Sequence, residues 1–281
     1  MLAYTLKEKF LNELCDVLSR NEILAIWNQW VVKEIIQISK IHYFLNQDLF
    51  LTDEQVFKIT SLISHIISNK PVEYFFGYSY FRNLKLFVNS HVLIPRPETE
   101  ELIDIILDNL NNISIKSVID IGTGSGCIAI SLKKYISANL FAFDYSDHIL
   151  SIARKNAHKY NMSINFQKVD ILNIQNYTSL PKVDVIVSNP PYVIHSEVNN
   201  NSVIHAEPIS SIFVNKDNPL IFYEKILIFS KYNLNHNGRI FFEINPLFVL
   251  DLVSLIREYN YSDIQIHEDF YGKKRFIVVS S

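Results

Sequence analysis

Hydrophobic residues recur at helical spacing in the N-terminal part of the chain. Leu6, Phe10 and Leu14 follow one another at intervals of four residues, which predicts an amphipathic helix. A later helix has a clear start at Thr52-Asp53-Glu54-Gln55, because a Thr followed three residues later by Gln is typical of a capping box. We therefore expect residues 1–72 to form a small helical domain.

The pattern changes between Tyr74 and Val88. Aromatic and β-branched residues stand there on either side of Arg82-Asn83, which predicts a β-hairpin. We expect residues 73–92 to link the helical domain to a second domain.

From residue 93 to residue 281, segments with strand-like and helix-like patterns alternate. Strands are expected at Ser117–Ile121, Asn139–Asp144, Ile164–Val169, Val183–Ser188 and Arg239–Ile244, with a final pair near Ile264–His267 and Arg275–Val279. Helices are expected near 98–110, 126–136, 147–160, 218–234 and 246–259. This alternation predicts an α/β fold whose mostly parallel sheet is covered by helices on both faces. Ligands of such sheets bind at the carboxyl ends of the strands.

Composition narrows the function classes. The chain has 281 residues, of which 48% are hydrophobic, and its net charge is −3 without a basic segment of the kind that non-specific nucleic-acid binding uses. No apolar run approaches the roughly 18 residues of a membrane span, and charged residues near the N-terminus interrupt any signal-peptide core. Neither the cysteines nor the histidines show metal-ligand spacing, so we expect a cytoplasmic protein without a metal.

The motif Asn189-Pro190-Pro191-Tyr192 directly follows the predicted strand Val183–Ser188. Two prolines fix two φ angles and remove two N–H donors, and the first proline keeps Asn189 out of the helical region. The result is a stiff rim that carries an amide, free carbonyl groups and an aromatic ring. Such a rim can hold a planar NH2 group, which points to chemistry on that nitrogen.

A glycine-rich loop, Gly122-Thr123-Gly124-Ser125-Gly126, joins the predicted strand Ser117–Ile121 to a helix. Glycines allow sharp turns and close approach to a ligand, and a helix N-terminus offers free N–H groups. The glycines alternate, unlike the dinucleotide fingerprint, so a pyrophosphate is less expected. Asp144 ends the next strand, 22 positions after Gly122, where a carboxylate can accept hydrogen bonds from ribose hydroxyls.

Asp170 and Ile171 follow the third predicted strand. There an acid can meet an adenine amino group, and an apolar side chain can cover the ring. A nucleoside without pyrophosphate, next to a rim suited to an NH2 group, predicts S-adenosylmethionine as cofactor and methylation of nitrogen.

These motifs resemble a known family. Asp-Ile-Gly-Thr-Gly-Ser-Gly together with Asn-Pro-Pro-Tyr is similar to the signature of class I, Rossmann-like methyltransferases that modify amino groups. The segment His91–Glu100 resembles the hallmark of the HemK-type protein-(glutamine-N5) methyltransferases, which act on peptide chain release factors. The likeness extends from Pro71 to the end of the chain.

The resemblance implies a role for each motif. The loop Gly122–Gly126 would cradle the methionine part of S-adenosylmethionine, Asp144 would bind the ribose, and Ile171 would lie against adenine. Asn189 would contact cofactor and substrate, and Asn189–Tyr192 would hold the glutamine of the release factor's Gly-Gly-Gln motif. The catalytic residues would be Asn189, Pro190 and Tyr192. The enzyme would act as a monomer, with the helical domain recognising the release factor.

The chain departs from the family pattern at a few places. Glu73 stands where the family usually has Gln, residues 215–219 replace a Gly-rich turn, and Asn245-Pro246 replaces a Gly-containing turn. We expect none of these departures to touch the methyl-transfer residues.

Two alternatives stay open at this point. A nucleic-acid adenine-N6 or guanine-N2 methyltransferase would use the same rim, because adenine N6 is also a planar NH2 group. The charge balance and the segment Ile94–Glu100 argue against it. The other alternative is a non-catalytic binding module that retains the fold.

Overall fold

A computed structural model describes residues 1–46, 48–111, 113–175, 177–199 and 202–280. The chain divides into compact units. One contains Met1–Phe76 with Asn201–Ala206, and the other contains Gly77–Asn200 with Glu207–Ser281. Within the described ranges, no helix has the length and apolar character needed to cross a membrane.

The first unit is helical. Its elements are α1 (Ala3–Leu14), α2 (Arg20–Ile26), a π-helix (Trp27–Ile36), α3 (Lys40–Leu45), α4 (Asp53–Ile67) and α5 (Val72–Phe76). Helix α4 begins with the predicted capping box, in which Thr52 and Gln55 exchange hydrogen bonds between side chain and backbone. The π-helix was not predicted. It buries Trp27 and Trp30, so its wider turn still presents an apolar face to the core of this unit.

The second unit begins with the predicted β-hairpin. Strands β1 (Tyr78–Phe81) and β2 (Leu84–Phe87) pair antiparallel around the turn at Arg82-Asn83. The backbone N–H of Phe87 donates to Asn156 Oδ1 (2.6 Å), and Asn156 Nδ2 donates to the Phe87 carbonyl (3.0 Å). The same Nδ2 donates to the Ser125 carbonyl (2.8 Å), so one buried amide joins the hairpin to the glycine loop.

A sheet of seven strands follows within the described residues. The strands are β3 (Ser117–Ile121), β4 (Asn139–Asp144), β5 (Asn165–Lys168), β6 (Val183–Ser188), β7 (Leu234–Glu243), β8 (Asp263–Glu268) and β9 (Lys274–Ser280). Their order is β5-β4-β3-β6-β7-β9-β8. The first five in this order pair in parallel, and β9 pairs antiparallel with both of its neighbours. The predicted α/β fold with a mostly parallel sheet is therefore confirmed.

Helices cover both faces of this sheet, and they are α6 (Pro97–Leu110), α7 (Cys127–Tyr135), α8 (Asp147–Lys159), α9 (Ile221–Asn233) and α10 (Val249–Glu258). On β3, Val118 packs into the cluster that includes residues of α6 and α7, whereas Ile119 packs into the cluster with residues of α9 and α10. Burial of both faces explains why the central strands read as continuous apolar runs.

The strand order reverses between β3 and β6, so the carboxyl ends of the central strands border a common crevice. Asp120, Asp144 and Glu243 lie at these ends and are almost fully buried. Burial raises the pKa of Asp120 and of Glu243 to about 7, and that of Asp144 to about 6. Hydrogen bonds to each carboxyl group lower its pKa by less than burial raises it.

Because the pKa values of these carboxyl groups are raised, we expect the free protein to be more stable at pH 6 than at pH 8. The folded chain holds each proton more tightly than the unfolded chain, in which the pKa of Asp is 3.8. This stabilisation is complete below the unfolded value and is lost as pH rises through the folded value. A carboxyl group with a pKa near 7 then contributes roughly 1 kcal/mol less at pH 8 than at pH 6. Thermal unfolding at both pH values measures the change.

Asp120→Asn serves as the matched variant, because Asn keeps an acceptor for Thr123 but does not titrate. It should reduce the difference between the midpoints at the two pH values. A wild-type midpoint that rises from pH 6 to pH 8 would contradict the prediction.

Candidate active site

A cavity of about 230 Å³ lies at the carboxyl ends of β3, β4 and β6. The predicted site residues that line it are Gly122, Gly124, Asp144, Asp170, Ile171, Asn189, Pro190 and Pro191. Among the residues that the structure describes, the predicted ones that do not line it are Thr123, Ser125, Gly126 and Tyr192. The structure thus brings the three motifs to one place and separates their members into lining and supporting positions.

The glycine loop turns back on itself between β3 and α7. Gly122 and Gly124 have φ angles of +76° and +56°, a region that side chains with a Cβ rarely adopt. Apart from Gly122 itself and its two chain neighbours, no atom of the described residues lies within 4 Å of the place that a Cβ on Gly122 would take. Since the loop lines the cavity, the space beside these glycines is available to a ligand.

The other loop residues support its shape. Thr123 Oγ1 donates to Asp120 Oδ2 (2.7 Å), and the Ala129 N–H donates to the same oxygen (3.2 Å). A Cβ on Gly126 would stand only 3.1 Å from Ile130 Cδ1 and 3.4 Å from Ala153 Cβ. The glycine at this position therefore allows the loop to pack closely against α8.

Asp144 ends β4 beside the loop and is 6% exposed. Its Oδ2 accepts a hydrogen bond from the Gly124 N–H (3.0 Å). Its Oδ1 is buried and has no well-formed hydrogen bond within the described residues. A buried carboxylate oxygen in this state at a cavity wall is suited to receive a hydroxyl group from a ligand.

Asp170 and Ile171 form another part of the wall. The Asp170 carboxylate accepts hydrogen bonds from the Leu172 N–H (3.0 Å) and from Asn173 Nδ2 (2.6 Å), so it also starts a short 3-10 helix. Sequence reasoning did not assign the apolar wall residues Leu93, Leu172, Phe222 and Ile226. Phe222 and Ile226 belong to α9, and the signal available in the sequence was that both lie in the part of the chain, from Pro71 onward, that resembles the family.

Asn189 is anchored through its amide nitrogen. Asn189 Nδ2 donates to Thr99 Oγ1 (3.0 Å), and Thr99 Oγ1 donates to Glu243 Oε2 (2.7 Å). Thr99 and Glu243 are 2% and 1% exposed. Thr99 lies in the segment His91–Glu100 and Glu243 in the stretch from Pro71 onward that resembles the family, but the sequence did not assign either residue to the site.

Tyr192 contacts the same carboxyl group. Its hydroxyl donates to Glu243 Oε1 (2.9 Å), and burial together with the charge of Glu243 raises the pKa of Tyr192 well above its usual value. Asn245 Nδ2 donates to the Tyr192 carbonyl (3.0 Å). The expectation that no family departure touches the methyl-transfer residues is therefore wrong, because the Asn245 side chain fixes the end of this loop.

The segment before α6 is tied to the chain that follows the Asn-Pro-Pro-Tyr motif. Arg96 Nη2 pairs with Glu207 Oε1 (2.5 Å), and the Ile94 N–H donates to Glu207 Oε2 (3.0 Å). Glu207 is 4% exposed, so this pair is largely shielded from solvent. The hallmark segment thus braces one border of the site.

Comparison with known proteins identifies the family. Residues 100–208 match the family described as methyltransferase small domain. A release factor glutamine methyltransferase of Flavobacterium psychrophilum is 36% identical, with 100% of this chain and 99% of the relative covered. The protein of the same name from Bacteroides thetaiotaomicron is 32% identical, with 95% of this chain and 96% of the relative covered.

Solved structures agree at the level of the fold. A methyltransferase of Pyrococcus furiosus superimposes with a TM-score of 0.53 at 16% identity, covering 79% of this chain and 98% of the other. At this identity the likeness speaks for the methyltransferase fold only. Relatives of more than 30% identity that match nearly the whole length carry the assignment further, and they show that the chain belongs to the release factor glutamine methyltransferase family.

Proposed function

We propose that this chain transfers a methyl group from S-adenosylmethionine to the side-chain amide nitrogen of the glutamine in the Gly-Gly-Gln motif of peptide chain release factors. The observation that carries the proposal is the position of Asn189, which lines the cavity beside the glycine loop with its Nδ2 held by Thr99. Both relatives described above are release factor glutamine methyltransferases, which supports a release-factor glutamine as the acceptor.

The lining of the cavity fits S-adenosylmethionine. Gly122 and Gly124 leave room for the amino-acid part, and the Oδ1 of Asp144 is suited to a ribose hydroxyl. Ile171 and Phe222 offer apolar surface for a purine ring, as ligand pockets commonly do. When bound, S-adenosylmethionine supplies a methyl group that is attached to a positively charged sulfur. On transfer of the methyl group, this sulfur leaves as a neutral thioether.

The chain's contribution to the reaction is orientation. A glutamine amide nitrogen is a weak nucleophile because its lone pair is delocalised into the carbonyl group. Asn189 Oδ1 and the Pro190 carbonyl accept hydrogen bonds from this NH2 group and aim the nitrogen at the methyl carbon. They also stabilise the positive charge that develops on the nitrogen, and one proton then passes to water. Tyr192 holds the loop through Glu243 and does not need to reach the cavity.

We assign recognition of the release factor to the helical domain predicted from the sequence, residues 1–72. In support, the match to the relative from Flavobacterium psychrophilum spans the whole chain, including residues 1–72. Release factors work in translation, so we place the reaction in the cytoplasm. One chain supplies every residue assigned above, and we propose that it acts as a monomer.

Labelled S-adenosylmethionine tests the function directly. The protein should transfer label to a release factor but not to a release factor whose Gly-Gly-Gln glutamine is replaced by alanine. A parallel incubation with duplex DNA tests the nucleic-acid alternative. Label in DNA with none in the release factor would overturn the proposal.

Asn189→Ala should nearly abolish methyl transfer, because the variant cannot orient the glutamine nitrogen. A loss of about 100-fold or more in kcat is expected from misplacement of the reacting atom. The control is Asn235→Ala, since Asn235 donates to Asp184 at the amino ends of β7 and β6, at the opposite end of these strands from the cavity. Wild-type kcat in the Asn189 variant would exclude the orienting role.

Asp144→Ala should weaken the binding of S-adenosylmethionine by about tenfold or more, because a hydrogen bond to a charged group is lost. Calorimetric titration of the free protein measures the Kd. Asp263→Ala is the control, because this exposed acid lies at the start of β8, away from the carboxyl ends of the parallel strands. An unchanged Kd in the Asp144 variant would remove Asp144 from the cofactor site.

A further inference from the structure

The Glu243 carboxylate determines the direction of two hydroxyl protons. Thr99 Oγ1 donates to Glu243 Oε2 (2.7 Å), and the Tyr192 hydroxyl donates to Glu243 Oε1 (2.9 Å). A hydroxyl group has a single proton, and at pH 8, above its pKa of about 7, Glu243 is mostly ionised and can only accept. With its proton directed to Glu243, Thr99 Oγ1 can act toward Asn189 only as an acceptor.

The acceptor role of Thr99 Oγ1 selects one orientation of the Asn189 amide. An amide offers donors on its nitrogen and acceptors on its oxygen, and these atoms lie on opposite sides of the Cγ carbon. Thr99 accepts from Asn189 Nδ2 (3.0 Å), so Asn189 Oδ1 is turned the other way. The NH2 group of a substrate glutamine carries only donors, and it therefore requires the oxygen.

We propose that Thr99 and Glu243 are positioning residues that keep the Asn189 amide with its oxygen toward the acceptor nitrogen. The inference rests on the proposed function and deepens it. Thr99 is 2% exposed and Glu243 is 1% exposed, so water does not readily replace either partner. In the reversed orientation, Asn189 would present its own NH2 group to the NH2 group of the substrate, and buried donors without acceptors are costly.

A pair of substitutions at Thr99 separates the loss of its hydrogen-bond acceptor from a change in packing. Thr99→Val keeps the shape of the side chain but removes the acceptor, and we expect kcat to fall by up to about 100-fold. Thr99→Ser keeps the hydroxyl but leaves a methyl-sized void, and we expect it to retain kcat near wild type. The Kd for S-adenosylmethionine should stay unchanged in both variants, because Thr99 does not line the cavity.

A substitution at Glu243 tests whether its carboxylate sets the direction of the hydrogen bonds of Thr99. Glu243→Met removes the acceptor at similar length, which frees the Thr99 proton to turn toward Asn189. We expect kcat to fall, and the double variant with Thr99→Val should be no worse than the poorer single variant, because both act through the same hydrogen bonds. Tyr223→Phe is the structural control, since Tyr223 donates to the backbone carbonyl of Glu243 and not to its carboxylate (2.9 Å). It should keep wild-type kcat, and thermal unfolding identifies any variant that does not fold.

A readout without the release factor keeps this inference separate from the proposed function. In 15N-labelled full-length protein with S-adenosylmethionine, the side-chain NH2 protons of Asn189 should be protected from exchange in the wild type and in Thr99→Ser. They should exchange rapidly in Thr99→Val. A wild-type protein inactive on release factors would overturn the proposed function, and this measurement would still decide the role of Thr99.

The inference fails if Thr99→Val and Thr99→Ser have the same kcat, or if the double variant shows additive losses. It also fails if the NH2 protons of Asn189 exchange at the same rate in both Thr99 variants.

Discussion

Burial of carboxylates at the carboxyl ends of the strands is the constraint on which the site depends. A carboxylate that leaves water must regain hydrogen bonds from the chain, since an unpaired buried charge is costly. Asp144 regains one from the Gly124 N–H, and Glu243 regains them from Thr99 and Tyr192. These donors belong to the segments that border the cavity. The hydrogen bonds that compensate for the burial of these carboxylates therefore also fix the shape of the site.

The arrangement also explains why the site combines rigid and open parts. Thr99 and Glu243 hold the Asn-Pro-Pro-Tyr loop through its side chains, and Asn245 holds it through its backbone. The glycine loop, in contrast, faces the cavity with backbone and no side chain at Gly122 and Gly124. The acceptor side is thus fixed by many contacts, whereas the cofactor side is shaped by the space that the glycines leave.

Much of this architecture could be predicted from the sequence, for local reasons. The run Val183–Ser188 is recognisable because a parallel strand buried on both faces has no polar alternation. The glycine loop is recognisable because positive φ angles exclude most other residues. Asp144 could be placed because it follows a strand directly.

The missing parts depend on contacts between distant positions. Thr99 meets Glu243 across 144 positions of sequence, and no local pattern indicates that a Thr in a helix start will bond a strand-end acid. The contact of the Asn245 side chain with the methyl-transfer loop was not expected, because its partner, the Tyr192 carbonyl, lies 53 positions away. The cavity wall from α9 was missed for the same reason. Only the strand order decides which helix covers the crevice.

The Asn156 amide has a consequence for how the second unit unfolds. This residue lies in α8, bonds Phe87 in the hairpin across 69 positions and bonds Ser125 in the glycine loop across 31 positions. Closing loops of this length costs conformational entropy, and the hydrogen bonds of one buried amide help to offset that cost at both places. Opening the hairpin would free the Asn156 amide and so loosen an anchor of the glycine loop, although the hairpin itself contributes no residue to the cavity wall.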